Sequence, residues 1–304
     1  MRYCRLSHGT VGGFLKALLG SKLIGWGLVA AAVFVISQAA SGPKKENKNT
    51  SAPTSQVESG VEESADSEVS RGGAVQSEKS VSSETVPVLT YHYISSYSGN
   101  DKVMKSLHTS ATAFDGQMAY LKNNGYKVLS LDEVYKFING GSFPGKKSVA
   151  LTFNDGYSDF YKNAHPILAK YGFTAGVFII TNRPGEQGFV SWSQLKKISQ
   201  KGYTIGSQSV SNPNLTKVAS ARAKEEAKIS KADLEGELGI KIKYFAYPYG
   251  AHNSTLMSYL KSLGYWAGFT MDGINSSQEN SIYAIPRKTV EGGISLSNFT
   301  ELVK

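Results

Sequence analysis

The 304-residue sequence contains only one cysteine, Cys4, which excludes an intramolecular disulfide. No Leu-x-Ala/Gly sequence precedes Cys4, so it lacks the context of a lipoprotein cysteine. Acidic side chains are also scarce, with 24 Asp and Glu against 33 Lys and Arg, for a formal charge of +9. No nucleic-acid recognition motif accompanies this positive charge, and we expect no nucleic-acid partner. These deficits indicate a globular protein whose stability does not depend on disulfides.

The sequence has one long hydrophobic run, residues 23–40, which is uncharged and barely long enough to cross a bilayer as a helix. Every charged residue before it is basic, which predicts a cytoplasmic segment 1–22 with the rest of the chain outside. Ser37-Gln38-Ala39 would also serve as a cleavage site, so a secreted protein is the alternative to a single-pass membrane protein.

Residues 41–85 contain almost no aromatic side chains and are rich in Ser, Glu, Gly and Lys, which predicts a disordered linker. Residues 1–41 carry a net charge of +4 and residues 42–85 a net charge of −3, leaving +8 for residues 86–304. A basic globular part favours anionic partners such as wall polymers or an anionic membrane surface. We therefore predict one domain, 86–304, joined to the membrane through a flexible linker.

Residues 86–304 alternate between strand-like and helix-like patterns, which predicts an α/β domain with a parallel sheet or barrel. Eight candidate strands favour a barrel over an open sheet. Strand-like segments cover residues 86–93, 126–129, 148–153, 174–180, 204–206, 243–247, 265–270 and 285–290.

Polar clusters follow several of these strands, where a barrel would bring them to one face. They are His92, Asn154-Asp155, residues 206–215 and residues 245–250. Gln208 and Asn212 are spaced i,i+4, so one helical turn would place both on the same side. Amide oxygens suit hard cations better than zinc, and polar residues lining a loop are the alternative interpretation. Asn154-Asp155-Gly156 is also typical of a simple turn.

Residues 86–300 resemble the polysaccharide deacetylase family, also called the NodB-homology or carbohydrate esterase four group. The resemblance is strongest to its extracellular poly-N-acetylglucosamine deacetylase branch. It implies a distorted (β/α)7-8 barrel and, in active members, metal-dependent removal of acetyl groups from glycans. The segments that carry it are Pro-Val-Leu-Thr-Tyr-His92, Leu-Thr-Phe-Asn-Asp-Gly156, His165-Pro-Ile-Leu, Gly206–Leu215, Ser230-Lys-Ala-Asp-Leu-Glu and Phe245-Ala-Tyr-Pro-Tyr-Gly250.

The resemblance implies a role for each matching position. The family sequence Thr-Phe-Asp-Asp-Gly places Asn154 where the general base should stand and Asp155 where a metal ligand should stand. Gln208 and Asn212 replace the two histidines of the family's His-Ser/Thr-x-x-His sequence. The resemblance further implies that the backbone N–H of Tyr249 stabilises the oxyanion. It also makes His92 the candidate general acid.

These replacements predict a degenerate site. An asparagine amide cannot accept a proton from water, and loss of a general base costs about 10²–10⁴ in rate. One carboxylate with two amides would hold zinc weakly. We therefore expect no cofactor, with zinc or another divalent metal required only if the protein is active.

The lead hypothesis is an exported, membrane-tethered pseudoenzyme that binds N-acetylglucosamine-containing polysaccharide or peptidoglycan, or that regulates a partner enzyme. Four aromatic residues are candidates for stacking on sugar rings, with core packing as the alternative for each: Tyr247, Tyr249, Trp192 and Trp266. An active deacetylase in which Asp155, His92 and waters hold the metal is the rival hypothesis. A third is a wall protein that uses only its tether and basic surface.

Overall fold

The computed structural model describes residues 84–304. The predicted cytoplasmic segment 1–22, the membrane segment 23–40 and nearly all of the linker 41–85 lie outside the described residues. Within residues 84–304, no helix combines the length and the apolar character needed to cross a membrane.

One eight-stranded sheet organises this part of the chain, and every ladder between its named strands is parallel. The sheet order is β7-β6-β5-β4-β3-β1-β8, with β2 paired to the amino-terminal half of β3 beside this path. The strands are β1 (Val88–Tyr91), β2 (Lys127–Leu129), β3 (Ser148–Phe153), β4 (Gly176–Ile179), β5 (Thr204–Ser207), β6 (Tyr244–Ala246), β7 (Ala267–Phe269) and β8 (Lys288–Thr289).

The sheet curls until its two edges approach each other. Phe269 of β7 forms a parallel bridge with Ile285, three residues before β8, which itself pairs with β1. Two backbone hydrogen bonds of 2.8 Å, from Thr270 to Ile285 and from Ile285 to Gly268, join this contact. The α/β class and a curled parallel sheet are therefore confirmed.

Two apolar cores lie on opposite faces of the sheet, which explains why its strands are apolar without interruption. Along β3, Val149, Leu151 and Phe153 belong to the outer core beneath the helices, whereas Ala150 belongs to the inner core. All six β3 residues are buried, in agreement with the predicted strand 148–153.

Helices cover the outer face and close one end. They are α1 (Lys102–Leu107), α2 (Ala111–Asn123), α3 (Leu131–Ile138), α4 (His165–Tyr171), α5 (Trp192–Ser199), α6 (Ser220–Leu238), α7 (Ser254–Ser262) and α8 (Leu296–Leu302). Helix α3 places Leu131, Val134 and Phe137 in the inner core. This helix therefore closes the end of the sheet at which the strands begin, and leaves the carboxyl ends of the strands for the candidate site.

Local sequence signals set the helix boundaries. Ser191 and Gln194 form the predicted capping box at the start of α5, and the same arrangement begins α3. Gly239 ends α6 in the left-handed conformation at φ 67°, as expected for a glycine after a helix.

Candidate active site

The carboxyl ends of β1, β3 and β5 bring the predicted site residues together. Asn154 follows β3 directly, and its backbone N–H donates to the carbonyl of Tyr91 at 2.9 Å. Gln208 follows β5, and its N–H donates to the carbonyl of Ile179 at 2.8 Å. These contacts extend the ladders by one residue, so the strands themselves position the side chains beyond them.

Asp155, Gln208 and Asn212 are joined by hydrogen bonds among their own side chains. The Gln208 Nε2 donates to Asp155 Oδ1 at 2.5 Å and to Asn212 Oδ1 at 3.2 Å. The Gln208 Oε1 accepts the backbone N–H of Asp155 at 3.1 Å. A flipped amide would place a donor against this N–H and an oxygen against the carboxylate, so the hydrogen bonds determine its orientation.

The loop that carries Gln208 and Asn212 is held by a buried carboxylate. Glu226 of α6 accepts the backbone N–H groups of Val210 and Ser211 at 2.9 and 2.8 Å and the Ser211 hydroxyl at 2.6 Å. Residues 208–212 form a bend and not a helical turn, and Asn212 has a left-handed backbone at φ 56°. The prediction that Gln208 and Asn212 share one side is confirmed by their direct hydrogen bond.

A buried arginine orients Asn154. The Arg287 guanidinium is fully buried, and its Nη1 donates to Asn154 Oδ1 at 2.9 Å. The same group bonds Thr90 and Thr152 and lies over the Phe178 ring within the inner core. Because a guanidinium only donates, the oxygen of the Asn154 amide must face Arg287.

The opposite end of the Asn154 amide then faces His92. Asn154 Nδ2 lies 3.3 Å from His92 Nε2, and since the amide nitrogen donates, Nε2 is the acceptor and the imidazole proton is on Nδ1. Burial, followed by the charge of Arg287, lowers the pKa of His92 to about 4. His92 is therefore a neutral acceptor at neutral pH, in contrast to the proton donor that a general acid must be.

Burial also shifts the two charged groups of the site. It lowers the pKa of Arg287 to about 9, which leaves the guanidinium protonated at neutral pH. Burial raises the pKa of Asp155, and hydrogen bonds from Tyr157 and Gln208 offset part of that rise. Both groups are thus poorly solvated. The positive charge of Arg287 and the negative charge of Asp155 partly compensate each other.

Tyr249 lies on the loop after β6 in a left-handed backbone conformation at φ 59°. Its side chain is 68% exposed. The next residue, Gly250, approaches the chain after β7 so closely that a Cβ atom would lie 2.8 Å from the Met271 backbone nitrogen. A glycine is required there, which ties the β6 loop to the β7 loop.

The other predicted sugar-stacking residues have different surroundings. Tyr247 is 1% exposed, and its hydroxyl donates to the Tyr283 carbonyl, so it is a core residue. Trp266 precedes β7, at the opposite end of the sheet, where Lys243 lies over its ring. Trp192 begins α5 and is half-buried against the outer core. Sequence periodicity does not show which of these aromatic residues are buried, because each of them lies at the end of a strand or helix.

Sequence reasoning missed two residues of the site. One is Tyr157, where burial, followed by the charge of Asp155, raises the pKa of the hydroxyl above its usual value. The Met271 sulfur lies 3.9 Å from Asn154 Nδ2. The position of Tyr157, two residues after Asp155, was the available signal. Nothing local indicates Met271.

The three candidate ligand positions do not fit a zinc ion. A metal ion is bound through lone pairs of its ligand atoms. Gln208 instead directs the N–H group of its amide at Asp155 and Asn212, so a hydrogen-bond donor stands where a ligand atom would be needed. Among residues 84–304, no group of three or more His, Cys, Asp or Glu side chains could hold a metal ion.

Comparison with known proteins identifies the fold as that of polysaccharide deacetylases. The polysaccharide deacetylase family model matches residues 142–268. The Bacillus subtilis (strain 168) protein YxkH, itself classed with the polysaccharide deacetylases, is 31% identical over 214 residues, which cover 70% of this chain and 74% of YxkH. The chain belongs to the polysaccharide deacetylase family.

Other relatives agree. The poly-β-1,6-N-acetyl-D-glucosamine N-deacetylase of Staphylococcus aureus (strain MRSA252) is 31% identical over 202 residues, 62% of this chain and 69% of the relative. The Streptococcus pyogenes deacetylase PplD, solved with acetate, has 30% identity and a TM-score of 0.68 over 72% of this chain and 98% of PplD. A Bacillus cereus polysaccharide deacetylase has 25% identity and a TM-score of 0.65 over 73% of this chain and 69% of its own.

Proposed function

We propose that this protein is an exported, membrane-tethered member of the polysaccharide deacetylase family that binds N-acetylated glycan without deacetylating it. The observation that carries the proposal is the Gln208 amide, which donates to both Asp155 and Asn212. The Asp155 and Asn212 side-chain oxygens that would face an ion thereby accept from the Gln208 amide instead.

The residues for proton transfer support the same conclusion. Asn154 has no useful basicity, and its amide is engaged by Arg287 at one end and His92 at the other. Such an amide cannot deprotonate water, which costs about 10²–10⁴ in rate when a general base is lost. His92 accepts at Nε2, so it has no proton there to give to a leaving amine.

Electrostatics also disfavour a divalent cation. The Arg287 guanidinium is buried beside Asn154, and Asp155 is the carboxylate whose charge acts on it. Two neutral amides add no negative charge to offset a bound dication. In a poorly solvated site like charges repel strongly, so Arg287 lowers the affinity for a metal.

A neutral acetamido group suits this balance of charges better than an ion does. The Staphylococcus aureus relatives are named for poly-β-1,6-N-acetyl-D-glucosamine, which supports an N-acetylglucosamine polymer or peptidoglycan as the ligand. The hydrophobic segment 23–40 and the basic flank before it support export with a single-pass anchor. Secretion after cleavage and regulation of a partner enzyme are the alternatives for localisation and partner.

The test is a metal and turnover measurement on the purified domain with N-acetylglucosamine oligomers. We expect substoichiometric zinc after dialysis, no acetate release above the buffer rate, and oligomer binding by calorimetry. Asp155→Ala should leave the acetate signal unchanged, because there is none to lose. Stoichiometric zinc with steady acetate release that disappears in Asp155→Ala would contradict the proposal.

That outcome would support the second candidate, an active deacetylase with altered ligation. One observation favours it: His92 lies 3.3 Å from Asn154 at the rim of the site and is only half-buried. In this candidate, Asp155, His92 and waters would hold the metal. His92→Ala should then abolish zinc binding, whereas in the lead proposal it changes no metal content.

A further inference from the structure

Five aromatic rings form one continuous stack beside the candidate site, and we call this stack the aromatic row. Along the stack the ring centroids are 5.2 Å apart for Phe189 and Tyr157, 3.7 Å for Tyr157 and Tyr93, 4.1 Å for Tyr93 and His108, and 5.1 Å for His108 and Tyr97. Each interplanar angle is 34° or less, so the rings are close to parallel.

The aromatic row is continuous with the site. Tyr157 follows Asp155 by two residues, and the residue between them, Gly156, accepts the backbone N–H of Val190, next to Phe189, at 3.0 Å. The other rings come from the segment after β1, from the end of α1 and from the loop before α5. The row thus runs from the candidate site outward along the carboxyl ends of the strands.

Backbone contacts hold the aromatic row in place. Tyr157 and Phe189 form an antiparallel bridge, and Tyr93 and His108 form a parallel one. The Ser95 hydroxyl donates to Asp159 at 2.8 Å and lies 3.2 Å from His108 Nδ1. A surface that is ordered in this way loses little conformational entropy when a ligand binds.

The exposure of these rings differs from that of the core aromatics. Tyr91, Phe153 and Phe160 are at most 1% exposed, whereas all five rings of the aromatic row are partly exposed. Because the faces are stacked on one another, it is mainly the edges and hydroxyls that meet solvent. Such a surface is apolar with regularly placed hydrogen-bonding groups, like a neutral sugar chain.

We propose that the aromatic row is an extended binding subsite for the glycan units next to the one held at Asp155. This inference rests on the proposed glycan-binding function and adds which residues contact the chain beyond the site. Its ligand class is a neutral, extended N-acetylhexosamine polymer. Tyr97, at the far end of the row, contacts only units that a short oligomer does not have.

The test compares β-1,6-linked N-acetylglucosamine oligomers of increasing length by calorimetry. In the wild type, affinity should rise from the disaccharide to the hexasaccharide. Tyr97→Ala should weaken hexasaccharide binding by about tenfold, the size of one aromatic contact, and leave disaccharide binding unchanged. Trp266→Ala, at the opposite end of the sheet, is the matched control and should bind both oligomers like the wild type.

A second measurement needs no variant and covers the case in which Tyr97→Ala does not fold. In nuclear magnetic resonance titrations of the wild type, the hexasaccharide should shift the ring signals of Tyr97, and the disaccharide should shift those of Tyr157 alone. If the wild type binds both oligomers but Tyr97 responds to neither, the aromatic row is not a subsite and the proposed function stands. If the wild type binds neither oligomer, both proposals fail.

Discussion

The two ends of the sheet use polar groups in opposite ways. At the amino end, Lys243 pairs with Asp132 at 2.7 Å, and their side chains are 31% and 42% exposed. At the carboxyl end, the charged groups Arg287 and Asp155 are buried, and Arg287 donates to the amide of Asn154. Within residues 84–304, every non-glycine residue with positive φ lies at the carboxyl end: Asp155, Ser209, Asn212 and Tyr249.

The unfavourable backbone conformations of the described residues are therefore concentrated at the carboxyl end of the sheet. A residue in a sparsely populated backbone region costs about 1–3 kcal/mol and persists only where its surroundings determine it. The carboxyl end has four of them, and positions 208 and 212 beside them carry amides. This combination is what the proposed function expects, a deacetylase framework with different side-chain chemistry.

The largest expected effect comes from returning that chemistry to the carboxyl end. The triple variant Asn154→Asp, Gln208→His, Asn212→His should bind zinc stoichiometrically and release acetate at least about 10²-fold faster than the wild type. Histidine tolerates a left-handed backbone better than most residues, which favours its accommodation at position 212. Zinc content by mass spectrometry and acetate release measure the two gains.

The matched control adds Asp155→Ala to the same three substitutions. Without this carboxylate, both zinc binding and turnover should return to the wild-type level. A triple variant that folds but binds no zinc would show that the backbone at the carboxyl end no longer positions metal ligands. The carboxyl end could then not be described as a deacetylase framework.

The next effect concerns stability. Arg287→Leu should lower the free energy of unfolding by about 3–5 kcal/mol, because it leaves Asn154 Oδ1 and the Thr270 carbonyl without a donor and Asp155 without its compensating charge. Lys243→Leu, at the amino end, should change it by less than about 1 kcal/mol, as for other exposed pairs. Urea unfolding of both variants measures the two changes. Equal losses of unfolding free energy would contradict the expected difference between the two ends of the sheet.

The smallest effect is a pH dependence at the amino end. Burial by itself would raise the pKa of Asp132, but hydrogen bonds from Lys243 and Tyr244 outweigh it and lower the pKa below its ordinary 3.8. A carboxyl with a depressed pKa in the folded state stabilises the fold above pH 3.8, and this contribution is lost as the pH falls through the folded-state value.

Asp132→Asn should therefore lower the free energy of unfolding by less than about 1 kcal/mol at pH 7. The difference from the wild type should shrink towards zero at pH 3. Urea titrations at the two pH values measure it. A loss that is the same at both pH values would mean that the Asp132 charge has no part in it.

Much of the fold could be predicted because its signals are local. The apolar run 148–153 matches β3, and the capping box at Ser191 and the glycine at 239 mark helix ends where expected. The strand predicted over 86–93 is shorter in the structure, Val88–Tyr91, because pairing with neighbouring strands limits it. Helix α1 was not predicted; it has only six residues, none of them buried, which is too short for a periodic apolar pattern to be recognised.

The site was predictable only in part. Asn154, Asp155, Gln208 and Asn212 meet as their order after the strands indicated. The burial of Tyr247 and the exposure of Tyr249 could not be predicted, since the two residues share one loop and one chemistry. The aromatic row joins four separate segments of the chain, and no periodicity connects them.

The sequence alone determined the α/β class, the family and the chemical limits of positions 154, 208 and 212, because side-chain basicity and strand periodicity are properties of the chain itself. Only the tertiary structure decided that the Gln208 amide donates to Asp155 and that Arg287 orients Asn154. The direction of a hydrogen bond depends on every neighbour at once, and the curl of the sheet brings these neighbours from distant parts of the chain.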